Sequence, residues 1–331
     1  MNKTKNTVLC ISLYTIYYID MTFKLIEIMK RDIISVFDMK DDIQDILSLA
    51  ARLKSGERYT PVLQGRTLAL IFEKSSTRTR TSFEVGIYQL GGHSVHLNQQ
   101  ESQMGRGETI EDTAKVLSRF ADCIAYRAFN HSDVCTLAEN ASIPVINALD
   151  DLEHPCQIIA DLLTITEKKH KLKGLKLAYI GDGNNVCNSL MIGCALTGIN
   201  FVAGCPEGYM PDQEIIEKSK EIAASNDCTL IITTDPIEAA AYADVIYTDA
   251  WVSMGQEDQT DKKEKLFAPY QINAKLMSHA KKDCIFMHCL PAHRGLEVTE
   301  DVIDGSQSVV FDEAENRLHA QKAIMLSIIP H

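Results

Sequence analysis

The chain of 331 residues has no C-x-x-C pair among its ten cysteines, a single tryptophan, no low-complexity tract and no surplus of positive charge. Each of these absences excludes something. Without paired cysteines, neither a zinc ribbon nor a thioredoxin-type redox motif is written here. Scattered single thiols suit a reducing cytosol better than a secreted disulfide scaffold, so a cytoplasmic protein is expected. The formal net charge of −12 argues against general nucleic-acid binding. An anionic ligand would therefore need a local basic pocket. The apolar stretch near the start, residues 7–19, is too short to span a membrane. It follows Lys3 and Lys5, as in a signal peptide, but no small-x-small cleavage site comes after it. Residues 1–28 are expected to be an extension outside the fold. Two nucleotide fingerprints are also missing. No Walker lysine follows a glycine-rich loop, and Gly181-Asp182-Gly183-Asn184-Asn185 has Val186 where a third glycine would stand.

What is present is an alternation of short apolar runs and helical patterns along 331 residues, enough for two domains with real cores. Strands are expected at residues 67–72, 93–97, 122–126, 143–148, 176–180, 200–204, 229–233, 244–248, 284–287 and 308–311. Helices are expected at residues 41–54, 108–120, 132–140, from Pro155 onward, at 185–196, 212–225, 236–242 and 313–328, with another following Thr79. Strands alternating with helices imply an α/β fold: two doubly wound domains with parallel sheets. The charged stretch at residues 167–171 marks the boundary between the halves. The expected division is 29–165, 166–311 and a final helix, 312–331, packing back on the first domain. In such sheets ligands bind beyond the carboxyl ends of the strands.

The chemistry-bearing stretches fall at those ends. Glu73-Lys74-Ser75-Ser76-Thr77-Arg78-Thr79-Arg80 lies where a buried strand turns into a helix. Unpartnered N–H groups and the helix dipole favour an anion there, and hydroxyls and guanidinium forks add donors. The plain alternative is an N-cap with surface arginines. Tyr126-Arg127 ends another strand. His154-Pro155-Cys156-Gln157 opens a helix and sets a hydrogen-bonding His and Gln on one face. Asn184 and Asn185 either bind a small polar ligand or cap their helix. Asp249-Ala250-Trp251-Val252-Ser253-Met254-Gly255 precedes a charged loop at residues 256–265. His288-Cys289-Leu290-Pro291, with His293 behind it, invites a metal reading, but the ligand spacing is poor and none is expected. Ser102-Gln103-Met104-Gly105 is a polar loop, and Arg317 sits alone in the last helix.

In order and spacing these stretches resemble the aspartate/ornithine carbamoyltransferase family, and its ornithine branch in particular, from Met29 to the C-terminus. Asp249-x-Trp251-x-Ser253-Met254-Gly255 and His288-Cys289-Leu290-Pro291 are the more specific pieces. The extension before Met29 departs from the family pattern. The resemblance implies a carbamoyl-phosphate domain followed by an ornithine domain, joined by inter-domain helices. It implies carbamoyl transfer from carbamoyl phosphate to L-ornithine, giving L-citrulline, as part of arginine metabolism. Neither a metal nor an organic cofactor is implied. The carbamoyl-phosphate set would be Ser76, Thr77, Arg78, Thr79, Gln103, Arg127, His154, Gln157, Cys289, Leu290 and Arg317. The ornithine set would be Asn185, Asp249, Ser253 and Met254. Arg127 and His154, with Thr79, would meet the carbonyl oxygen, and Cys289 would take the amine's proton. A homotrimer is also implied, with Gln103 reaching a neighbouring subunit's site. Two other readings are a carbamoyltransferase for another amine, such as putrescine, and a non-catalytic phosphate-binding member.

Overall fold

The computed structural model describes residues 30–57, 61–74, 76–98, 103–251 and 260–331. The expected extension at residues 1–28 lies outside them. So do Ser75, Ser102, Ser253 and Met254.

Two parallel sheets form, as the alternating pattern requires. The first is built from β1 (Thr67–Phe72), β2 (His93–Asn98), β3 (Cys123–Arg127) and β4 (Val145–Leu149), in the order β2-β1-β3-β4. The second holds β5 (Lys176–Ile180), β6 (Asn200–Gly204), β7 (Leu230–Thr233), β8 (Val245–Thr248) and β9 (Ile285–His288), in the order β7-β6-β5-β8-β9. Every strand pair is parallel. Central strands such as β3 are buried along their whole length, which explains their continuous apolar reading. The chain reverses direction of growth between β1 and β3 in one sheet and between β5 and β8 in the other. A ligand crevice is expected outside the carboxyl ends of strands at each such point.

The helices are α1 (Ile43–Lys54), α2 (Thr77–Gln89), α3 (Ile110–Leu117), α4 (His131–Asn140), α5 (Pro155–Lys169), α6 (Asn185–Thr197), α7 (Gln213–Ser225), α8 (Pro236–Ala240), α9 (Thr260–Phe267), α10 (Ala274–Met277), α11 (Glu300–Ile303) and α12 (Val310–Ile328). Pro155 starts α5, where a missing N–H costs nothing. Residues 155–165 of α5 are all buried, because the helix runs between the two sheets. α12 packs on α5, α1 and α2 and touches β9, so both long helices bridge the halves. A single apolar cluster, including Ile158, Leu162, Leu190 and Met191, runs through this junction. Gly193 of α6 is needed there, since an added Cβ would come 2.5 Å from Ile158 Cγ2.

Three expectations differ from the structure. The strand expected at residues 308–311 is a single bridge, Phe286 to Ser308, after which Val310 already begins α12. Buried Val310, Glu313 and Arg317, with Phe311 exposed, follow helical spacing, which a run of four residues does not reveal. Of the charged loop expected at residues 256–265, the described part begins at Thr260 and is helical, belonging to α9 (Thr260–Phe267). The helix expected at residues 108–120 is shorter, because Thr109 caps it and it stops at Leu117.

Candidate active site

The phosphate-type loop forms as its sequence suggests. Ser76 caps α2, its hydroxyl accepting from the Thr79 amide at 3.3 Å. That satisfies one amide of the first turn and turns Ser76, Thr77, Arg78 and Thr79 toward a cavity of about 650 Å³ between the sheets. The cap and the anion-site readings therefore both hold. Arg127 at the end of β3 and Arg317 from α12 converge on Thr79. Arg127 Nη1 lies 3.5 Å from Thr79 Oγ1, and Arg317 Nη2 donates to the same oxygen. Arg317 also faces His154 Nε2 at 3.5 Å.

Two buried guanidinium groups, Arg127 and Arg317, and a buried histidine thus meet, with the half-buried Arg78 beside them. Burial, with Arg317 and Arg78 beside it, pulls Arg127 down to about 10. Burial and the neighbouring Arg317 and Arg127 push His154 well below its ordinary value, so its imidazole is neutral. Its Nε2 then accepts from Arg317, which assigns the proton to Nδ1. Arg78 Nε, Arg127 Nε, Arg317 Nε and His154 Nδ1 are buried donors with no partner among the described residues. Gln157 Oε1 is an acceptor in the same condition. Buried polar groups are nearly always paired, so this convergence calls for a polar, anionic ligand.

Across the cavity the groups change sign. Asp249 follows β8; its Oδ2 accepts from Asn184 Nδ2 at 2.8 Å and its Oδ1 from the Cys289 thiol at 3.1 Å. Asn184 also caps α6. Asn185 lines the cavity and donates to the Asp150 carbonyl at 2.6 Å. Burial and Asp249 raise the Cys289 thiol well above its ordinary value. The raised thiol is the protonated form, which donates to Asp249 and is itself only a weak acceptor. Leu290 links the two sides: Arg78 Nη2 donates to its carbonyl at 2.6 Å.

Asp249, His288 and Cys289 bring possible metal-ligand atoms within 4.8 Å of one another. His288 is already engaged, however. Its Nδ1 accepts from the Leu290 amide at 2.9 Å and its Nε2 faces Glu297 at 3.3 Å. A cation there would have to displace these bonds.

Of the expected residues, the structure brings Ser76, Thr77, Arg78, Thr79, Arg127, His154, Gln157, Asn185, Asp249, Cys289, Leu290 and Arg317 to one cavity. Gln103 is exposed and does not line it. Ser253 and Met254 lie outside the described residues. Arg80 turns away and pairs with Glu84 at 2.8 Å on the surface. Several residues escaped the sequence reading. Lys263 of α9 is buried, pairs with Asp182 at 2.7 Å and donates to the Trp251 carbonyl at 3.0 Å. Glu297 and the pair Asp161 and Glu313 are wholly buried. A buried polar stripe, Glu313 and Arg317 four apart on one helix, was the available signal for the last.

The fold defines a two-domain parallel α/β protein, and its cavity sets a basic side carrying Arg78, Arg127 and Arg317 against an acidic side carrying Asp249. Residues 31–167 match the carbamoyl-P binding domain and residues 173–328 the Asp/Orn binding domain of the aspartate/ornithine carbamoyltransferases. The chain belongs to that family. It is 58% identical over 303 residues to a catabolic ornithine carbamoyltransferase of Thermoplasma volcanium, covering 91% of this chain and 99% of that one. To an ornithine carbamoyltransferase of Picrophilus torridus it is 56% identical, covering 91% and 100%. The solved ornithine carbamoyltransferase of Pyrococcus furiosus superposes with a TM-score of 0.88 at 50% identity, covering 92% and 99%.

Proposed function

We propose that the protein transfers the carbamoyl group of carbamoyl phosphate to the δ-amine of L-ornithine, giving L-citrulline and phosphate. The observation that carries this reading is the set of unpartnered buried donors on Arg78, Arg127, Arg317 and His154, facing Asp249 across one cavity. Ser76, Thr77 and Arg78 hold the phosphate. Thr79, Arg127 and the His154 Nδ1–H meet the carbonyl oxygen, where negative charge grows as the amine attacks. The new C–N bond forms, the C–O bond to phosphate breaks, and the departing phosphate takes the amine's proton. Positioning and electrostatics suffice for such a reaction. Asp249 pairs with the α-ammonium of ornithine and Asn185 with its carboxylate end, with Ser253 and Met254 as further ornithine residues. Cys289 keeps Asp249 in place.

The domain division follows the same reading: 29–165 for carbamoyl phosphate, 166–311 for ornithine, and 312–331 as a helix returning to the first. The exposed Gln103 supports a homotrimer in which it reaches a neighbour's site. Citrulline as product ties the enzyme to arginine metabolism. No helix among the described residues is long and apolar enough to cross a membrane, and the scattered free thiols favour the cytoplasm. Phosphate release from carbamoyl phosphate should depend on added ornithine. Release at the same rate without ornithine contradicts the reading.

A further inference from the structure

Beneath the cavity, outside the residues given roles above, two carboxyl groups are buried side by side. Asp161 lies on α5 and Glu313 on α12, each with 0% of its surface exposed. Three donors surround Glu313. Its Oε1 accepts from Gln157 Nε2 at 3.2 Å and from the Tyr247 hydroxyl at 3.0 Å, and its Oε2 accepts from the His288 amide at 2.9 Å. Asp161 Oδ1 accepts from the same Gln157 Nε2 at 2.8 Å, while its Oδ2 has no donor among the described residues.

Two adjacent buried carboxylates cannot both carry charge cheaply. Burial raises both, Asp161 to about 7, and the two are in hydrogen-bond contact. One proton therefore stays with the pair near neutrality. The donor count decides where. Glu313 is filled by three N–H or O–H groups and has the ionised form's needs met. On that count the shared proton belongs to Asp161, whose Oδ2 lacks a donor, and the charge to Glu313.

The consequence falls on Gln157. An amide in a cavity can point either end outward, and the two ends select opposite partners. Here both carboxyl groups demand its NH₂, so its Oε1 is left as the outward, unpartnered acceptor. We propose that the Asp161–Glu313 pair is a positioning device for substrate selection. It locks the Gln157 amide so that its oxygen faces the crevice, where it accepts from the NH₂ of a carbamoyl group. An acyl phosphate with a methyl in that place leaves this acceptor unpaired and is disfavoured. The same pair supplies one negative charge beneath three arginines, so the bound dianion brings the cluster to neutrality. This inference rests on carbamoyl phosphate being the donor substrate.

The test compares affinity for carbamoyl phosphate with affinity for acetyl phosphate, by calorimetry and by inhibition of citrulline formation. Glu313→Gln forces an NH₂ against groups that themselves donate, and should reduce the carbamoyl-to-acetyl preference at least tenfold. Asp161→Asn copies the protonated carboxyl, with oxygen toward Gln157 and NH₂ toward Glu313, and should keep the preference within about threefold of wild type. Asp161→Leu removes the shorter bond to Gln157 and is a second route to the same loss should Glu313→Gln not fold. A general packing role would weaken both phosphates equally. Equal weakening, an unchanged ratio in the disruptive variants, or loss of the ratio in Asp161→Asn overturns the inference. A wild-type protein that forms no citrulline instead overturns the functional reading beneath it.

Discussion

Arg78 Nη2 donates to the Leu290 carbonyl at 2.6 Å, although the two residues belong to opposite halves of the molecule. One guanidinium thus serves the anion site at the start of α2 and the turn that carries Cys289. Leu290 has φ 58, a left-handed backbone, as part of the turn that presents its carbonyl.

Arg78→Lys should therefore lose more than charge placement. A lysine cannot offer a planar fork to two phosphate oxygens while reaching Leu290. Carbamoyl-phosphate affinity should fall about tenfold or more, the loss of at least one charge-assisted hydrogen bond. Calorimetry reads the affinity, and wild-type values in the variant would remove Arg78 from the phosphate site.

Asp249→Asn keeps the shape and removes the charge. Asp249 accepts from the Asn184 amide and the Cys289 thiol. An asparagine would set an NH₂ against one of these donors and leave the ornithine ammonium unpaired. The ornithine KM should rise and turnover should fall, together by about a hundredfold or more. Carbamoyl-phosphate binding, across the cavity, should hardly change. Steady-state kinetics with ornithine varied, beside calorimetry with carbamoyl phosphate, separates the two effects.

Much of this site was legible in the sequence, and the reasons differ by residue. Ser76 to Thr79 are contiguous, follow an apolar strand and open a helix, so their cap geometry is local. Arg127 and Asp249 stand at strand ends, where parallel sheets put ligands. Lys263 was not legible: it sits in a charged run that reads as a solvated loop, and its partner Asp182 is 81 positions away. Asp161 and Glu313 read as ordinary helix charges, because their pairing depends on how α5 crosses α12. The strand expected at residues 308–311 failed because a short β-branched run fits either period, and packing on α5 chose the helix.

Lys263→Met should destabilise the fold and the amine side together. Lys263 and Asp182 have side chains only 4% and 13% exposed, so removing the cation leaves a carboxylate nearly buried and alone. The expected loss is about 3 to 5 kcal/mol. The freed Trp251 carbonyl lies two residues from Asp249, so the ornithine KM should rise as well. Denaturant titration and ornithine kinetics check both, and an unchanged midpoint would mean Asp182 finds another partner.

Glu153 gives stability a pH dependence. Burial raises its carboxyl to about 7, against bonds from the Ser35 hydroxyl and the Val36 amide that favour the ionised form. The folded state then binds more protons than the unfolded chain between the ordinary glutamate value and about 7. Its contribution is fully present below that window and is lost as pH rises through it. Glu153→Gln cannot titrate, so any stability deficit relative to wild type should shrink between pH ~6 and pH ~8. Thermal unfolding of both proteins at the two pH values measures the gap, and a constant gap would contradict the raised carboxyl.

On the proposed reading, one cavity joins a carbamoyl-phosphate site to an ornithine site. Colorimetric detection of citrulline tests it most directly, with carbamoyl phosphate fixed and the amine varied between L-ornithine and putrescine. Citrulline should form with ornithine, and putrescine, which has no α-carboxylate for the amine side to hold, should be carbamoylated little. A preference for putrescine would contradict the acceptor assignment while leaving the phosphate side standing. No product with either amine would contradict both sides of the site.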